Sequence, residues 1–303
     1  MAACTLNQVV IAGGSGLVGR HLVRALLREG TRVIVLSRSR PGSGAVETCG
    51  WDDLPGALEG ADAVINLCGE GIAGGRWTAA RRQTLLDSRV GPTGRLVTAL
   101  GQVARRPPVL VNASAVGFYG ALDGRPVAED HPAGRGFLAE LCRQWEAAAD
   151  GAAAHRVRVV KLRLGVVLAR DGGALPRMAL PVKLWVGTRL GPGQQGLSWI
   201  HVDDLVRLIL AAAADPAYEG AVNATSPTPV SSAAFTRTLA RRLRRPVLPV
   251  PACLTRLALQ ALLGEMGVAM LLEGAFVHPG KAERLGFEFR FPRLAEALAD
   301  LLG

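Results

Sequence analysis

The segment Gly13-Gly14-Ser15-Gly16-Leu17-Val18-Gly19 constrains this chain more than any other. It follows a short apolar run, Gln8–Ala12, and opens a helical pattern, Leu17–Glu29, that Gly30 stops. Glycines at 13, 16 and 19 meet three demands at once. The first permits a tight turn, the second lets backbone approach a pyrophosphate, and the third lets helix pack on strand. The helix N-terminus beyond them offers N–H groups and partial positive charge to phosphate. A dinucleotide site built from Gly13, Ser15, Gly16, Leu17, Val18 and Gly19 is expected, against the alternative of a purely structural turn.

The second strand, Thr31–Leu36, decides which dinucleotide. A site for NAD places Asp or Glu at its end to hold the ribose 2′-hydroxyl. Here Ser37-Arg38-Ser39-Arg40 follows, with no acid. Ser37 and Arg38 are therefore expected to take a 2′-phosphate, and NADP(H) is the expected cofactor. The alternative is a solvated loop arginine. A later strand, Ala63–Leu67, leads into Cys68-Gly69-Glu70, expected beside the cofactor ribose. Gly69 permits close approach there, and Cys68 reads as small apolar lining rather than a redox thiol.

Further β-branched runs lie at Val109–Ala113, Arg158–Leu162 and Val222–Ala224, between helical stretches at Thr78–Val103, Leu138–Ala149 and Asp203–Ala213. Strands without alternation, separated by helices, predict a doubly wound parallel sheet covered on both faces. The Gly- and Pro-rich stretch 172–196 reads as an extended excursion on the substrate side. After Pro246 the pattern changes to helical stretches at Ala252–Leu263 and Leu294–Leu302. The expected division is a dinucleotide-binding domain, 1–245, and a small C-terminal domain, 246–303.

The 303 residues, 49% hydrophobic and 20% charged, suffice for such a core and argue against disorder. The formal charge of +10 suggests nucleic acid at first sight. The densest cluster, Arg241-Arg242-Leu243-Arg244-Arg245, however, ends a helical pattern, where cations favour the helix dipole, and no aromatic residues interleave with it. Nucleic acid binding is not expected. No apolar run is long enough to span a membrane, and Met1–Gln8 resembles no secretory signal. Five scattered cysteines without a C-x-x-C pair argue against disulfides or zinc and suit a reducing, cytoplasmic setting.

Together Gly13–Gly19, Asn66–Gly69, Asn112–Gly120 and Trp199–Asp204 resemble the extended short-chain dehydrogenase/reductases. Phe137–Ala149, Gly165–Ala174, Ser198–Leu205 and Met266–Phe289 are similar to the atypical, epimerase/dehydratase-like branch of that family. The resemblance implies a Rossmann domain with a small C-terminal substrate lobe. It also implies cofactor-binding roles for Leu67, Cys68, Glu70, Arg89 and Val167.

The family's usual Tyr-x-x-x-Lys dyad does not carry over. Only two tyrosines exist, and the residues four positions after Tyr119 and Tyr218 are Asp123 and Val222. Leu138 and Cys142 stand where the dyad aligns. The usual serine position falls on Ala115, and the adjacent Ser114 is counted with the cofactor-binding residues. Two candidates remain for acid–base work. His201 qualifies by residue type, against a hydrogen-bonded histidine at the start of the Asp203 helix. Tyr119 qualifies as a donor, against a loop anchor. Glu70 reads as orienting the ribose or Arg89. Two functions follow as expectations: an NADP(H)-dependent oxidoreductase or epimerase-like enzyme acting on an unidentified substrate, a sugar nucleotide or similar polar molecule, or a non-catalytic NADP(H)-binding sensor or regulatory interaction protein. Oligomeric state is not legible.

Overall fold

The protein is described from a computed structural model, over residues 6–37, 46–122, 124–183, 193–246 and 273–303. Its central sheet has seven parallel strands: β1 (Gln8–Ala12), β2 (Arg32–Ser37), β3 (Glu47–Gly50), β4 (Ala63–Asn66), β5 (Val109–Ala115), β6 (Arg158–Leu164) and β11 (Gly220–Ala224). In space they run β3-β2-β1-β4-β5-β6-β11. The expected parallel sheet is thus present. The short edge strand β3 escaped the sequence reading because Glu47-Thr48-Cys49-Gly50 has little apolar character.

Successive residues of β1 feed opposite faces. Val9 and Ile11 join one core with Leu22 and Leu26 of α1 (Leu17–Arg28) and Leu205 and Ile209 of α6 (Val202–Ala214). Val10 and Ala12 join the other core, with Leu54 and Leu58 of α2 (Leu54–Leu58) and Leu96 and Leu100 of α3 (Ala79–Leu100). Ala149 of α4 (Phe137–Asp150) closes that second core. Burial on both faces explains why these strands lack polar alternation.

A third core lies beyond the sheet. It gathers Leu168 of β7 (Val166–Ala169), Leu175 and Ala179 of α5 (Ala174–Lys183), Trp199 of β10 (Trp199–His201) and Phe235 of α7 (Ser232–Arg242). Leu294, Leu298 and Leu301 of the C-terminal helix α8 (Leu294–Leu302) complete it. Arg170 caps α8, donating to the carbonyls of Asp300 (2.7 Å) and Leu301 (3.1 Å).

The excursion after Gly172 is therefore less extended than expected. Following the two-residue strand β8 (Gly172–Gly173), the helix α5 buries Leu175, Ala179 and Val182 on one face. Pro176 falls in the first helical turn, where its missing N–H is harmless, and Pro181 affects only the last turn. The predicted helix Ala252–Leu263 lies outside the described residues, as do 184–192. Among the described residues, no helix is long and apolar enough to cross a membrane.

Candidate functional site

The chain leaves β1 toward β2 and β3 on one side and returns to β4 on the other. This strand-order reversal opens a crevice at the carboxyl ends of β1 and β4. The glycine turn occupies that crevice. Gly13 has φ +84°, a conformation glycine adopts without strain. A Cβ on Gly13 would stand 2.7 Å from the Leu67 carbonyl carbon, and one on Gly19 would stand 2.4 Å from the Gly13 oxygen. These two glycines are required by the protein's own packing. Gly16 differs: its backbone is extended (φ −68°, ψ 172°), and an added Cβ would meet only the Gly13 oxygen, at 3.3 Å. Its missing side chain leaves space facing outward from the turn. Gly16 is also the N-cap of α1, where no side chain caps the first N–H groups and no acid stands in the first turn. An anionic group fits this cradle, because it would supply the acceptors the helix end lacks.

The flanking residues converge on the same crevice. Leu67 and Val167, both half-buried, pack against the first core with Val18. Leu17 reaches β8, so that a Cβ on Gly173 would stand 2.7 Å from its Cδ2. Cys68, half-buried, has its N–H held by Asn66 Oδ1 at 3.1 Å. Arg89 lies buried beneath Gly69 and donates to the carbonyls of Leu85 and Glu70, each at 2.9 Å. Burial pushes its guanidinium pKa down. Glu70 uses its carboxylate on Arg81 rather than Arg89, and its own N–H on Ser88. Ser37 ends β2, in register with Gly50. Arg38 lies outside the described residues.

At the far end of the crevice, charged and hydroxyl side chains form one buried network. Ser114, Arg163 and Asn223 stand in one register row across β5, β6 and β11. Arg163 pairs with Glu146 of α4 through Nε–Oε1 (2.9 Å) and Nη2–Oε2 (3.0 Å), both side chains 6% exposed. Ser114 donates to Glu146 Oε1 at 2.7 Å. Tyr119 accepts from Arg163 at 2.9 Å and donates to Asn223 Oδ1 at 2.7 Å. The Tyr119 hydroxyl is fully buried, and that burial raises its pKa above the usual phenol value.

Leu138 packs over Gly117, where an added Cβ would be 3.1 Å from the leucine Cβ. Cys142, one turn on, contacts the Ala115 carbonyl at 3.7 Å, and burial pushes its thiol up to about 11. His201 is the N-cap of α6. Its Nδ1 accepts from the Asp203 N–H at 3.1 Å, its Nε2 lies 3.2 Å from Asp300, and its ring stacks on Phe291 at 3.9 Å. Burial lowers its pKa. The structure thus brings the glycine turn, Leu67–Glu70, Arg89 and Val167 to one crevice. It places Ser114 and Tyr119 in the buried network and His201 at a helix start.

The model of the NAD dependent epimerase/dehydratase family matches residues 9–224, and a domain of unknown function (DUF1731) matches residues 251–301. The chain belongs to the NAD-dependent epimerase/dehydratase family. Within it, the chain is 42% identical over 295 residues to epimerase family protein Mb2239 of Mycobacterium bovis, covering 96% of each chain. It is 39% identical over 309 residues to the chloroplastic SDR39U1 homolog of Arabidopsis thaliana, covering 97% of this chain and 86% of that one. Human epimerase family protein SDR39U1 (isoform 2), crystallised with NADPH, superposes with TM-score 0.87 at 32% identity, covering 97% and 98% of the two chains.

Three residues of this epimerase-family site, Glu146, Arg163 and Asn223, were not singled out for a role by sequence reasoning. One signal was available for two of them. Glu146 falls on the apolar face of FLAELCRQWEAAAD with Ala139, Cys142 and Ala149, and Arg163 stands between the leucines of RVVKLRL, and a charge at either place needs a partner.

Proposed function

We propose that this epimerase-family protein binds NADP(H) at the Gly13–Gly19 turn. The observation that carries the reading is Gly16. Internal packing demands glycine there less than at Gly13 or Gly19, since an added Cβ would press only on the Gly13 oxygen at 3.3 Å, and a phosphate lying against it accounts for the remainder. The absence of an acid after β2 favours the 2′-phosphorylated cofactor, with Ser37 and Arg38 as its contacts. The human relative's NADPH supports the same choice. When bound, the nicotinamide supplies or accepts a hydride. Leu67, Cys68, Gly69, Glu70, Arg89, Ser114 and Val167 are the chain's contribution along the cofactor's length. A substrate, where one is used, sits between the 172–196 segment and the C-terminal domain, 246–303. The test is a fluorescence titration of wild type and Arg38→Ala with NADPH and NADH. The expected result is preference for NADPH in wild type and a loss of roughly 10–100-fold in the variant. Equal affinities for the two cofactors would reject the assignment.

A second reading, binding without turnover, draws on a specific observation: neither tyrosine is followed four positions later by a lysine, and the buried Cys142 thiol is held neutral. Oxidoreductase action then needs Tyr119 or His201 to leave its present hydrogen bonds. NADPH oxidation across carbonyl compounds and sugar nucleotides separates the readings. If turnover is found, Tyr119→Phe and His201→Gln are compared with wild type. A fall in kcat of at least about tenfold identifies the donor, and no fall in either excludes both.

A further inference from the structure

Resting on the NADP(H) reading above, we propose that Arg163 is the positioning residue that couples the cofactor crevice to the C-terminal segment 273–281. The contacts around Arg163 lead to this. Arg163 clamps the turn Val116–Tyr119 twice, with its guanidinium 3.5 Å from the Phe118 ring centroid and a hydrogen bond to the Tyr119 hydroxyl. That turn borders the crevice, because it continues from the carboxyl end of β5, which lies beside β4 with Asn112 opposite Asn66. On its other side, Tyr119 holds Asn223, whose Nδ2 donates to the His278 carbonyl at 2.8 Å. Glu129, whose carbonyl accepts from Arg163, uses its carboxylate on the N–H groups of Asn223 (2.9 Å) and Lys281 (3.1 Å). One side chain therefore fixes both a wall of the crevice and the path of residues 278–281.

Stability alone does not account for the Glu146–Arg163 pair. A buried ion pair is often replaced by apolar side chains with no loss of stability, so an ionic pair here serves geometry. Leucine and methionine at these positions fill the space but hold neither the Ser114 nor the Tyr119 hydroxyl in place.

The experiment uses the full chain carrying Glu146→Leu and Arg163→Met together, with NADPH as probe. Three quantities are read: Tm, NADPH Kd by fluorescence, and NADPH-induced slowing of amide exchange at 116–119 and 273–281. The expected result is a Tm close to wild type, a Kd raised at least tenfold, and protection at 273–281 lost. Wild-type Kd and protection in the double variant would overturn the proposal, leaving the pair purely structural. If the double variant does not fold, Tyr119→Phe removes only the hydroxyl between Arg163 and Asn223. Loss of NADPH-induced protection at 273–281 is then expected, and its retention overturns the coupling. Failure of wild type to bind NADPH strikes the cofactor reading instead, and is a distinct outcome.

Discussion

The two ends of the crevice are built by opposite means. The glycine turn at β1 is assembled from seven consecutive residues, and its geometry follows from what those residues lack. The end beside β5 and β6 is assembled from Ser114, Tyr119, Glu146, Arg163 and Asn223, which come from four separate parts of the chain and meet through charge and hydrogen bonds. The first region is specified locally and tolerates its surroundings. The second exists only once the sheet and α4 are in place. Each region therefore has its own way of failing: the turn should lose function before fold, and the network, with one partner of its ion pair removed, should lose stability and function together.

The largest expected effect breaks the network. Arg163→Met alone leaves Glu146 buried without its cation, which costs about 3–5 kcal/mol. Denaturant unfolding should show a fall of that size, with most of it recovered in the Glu146→Leu, Arg163→Met double variant. A single variant as stable as wild type would mean that the pair is solvated in solution, and the contrast between the two regions would collapse.

Gly16→Val comes next and breaks the turn. The backbone there already suits an L residue, so Tm should change little. A branched side chain occupies the space proposed for phosphate, and NADPH affinity should fall by about 100-fold or more, roughly 2.7 kcal/mol. Gly19→Val is the control, because a Cβ 2.4 Å from the Gly13 oxygen forces helix from strand. It should fail to fold. Retained NADPH binding in Gly16→Val would remove this turn as the phosphate site.

The same contrast governs what could be read in advance. The strand–turn–helix unit, the absent acid after β2 and the alternation of strands with helices are written in short windows, where residue type fixes backbone conformation directly. The helix α5 was obscured because proline content was read without regard to position within the helix. The buried network was hidden for a deeper reason. Ser114, Arg163 and Asn223 share a row only through strand register, and no single-sequence pattern encodes which strand lies beside which. His201 shows the intermediate case, since its place before Asp203-Asp204 was legible as a helix start while its stacking on Phe291, 90 residues later, was not.

His201 gives a smaller prediction. Burial lowers its pKa, so the native state favours the neutral ring while the unfolded chain titrates near ~6.5. Below that pH the unfolded state binds the proton more tightly, and stability falls on acidification until the folded-state pKa is passed. His201→Asn keeps an N-cap acceptor for Asp203 but cannot titrate. The Tm of wild type should therefore drop below about pH 6.5 more steeply than that of the variant. Parallel Tm–pH curves for the two proteins would mean that His201 protonates without penalty.

The smallest effect tests whether the glycine turn is as self-sufficient as argued. Asp171, just before β8, lies 2.9 Å from His21 Nε2 and 3.8 Å from Arg20 Nη2, and Arg20 in turn donates to the Ser15 carbonyl at 3.0 Å. The hydrogen bond from His21 is the main cause holding the Asp171 carboxyl below its usual pKa. The stabilisation that results is present above the unfolded value of ~3.9 and is lost as pH falls through the lower folded value. Arg20 and Asp171 are exposed and His21 is half-buried at the surface, so solvent and salt screen the pair to about 0–1 kcal/mol. Asp171→Asn should accordingly shift Tm slightly at low salt and not at all near 1 M salt, with NADPH affinity within about threefold of wild type. A tenfold loss of affinity in Asp171→Asn would show that the turn, like the network, depends on a clamp brought from a distant part of the chain. The two ends of the crevice would then differ in the strength of their long-range support rather than in kind.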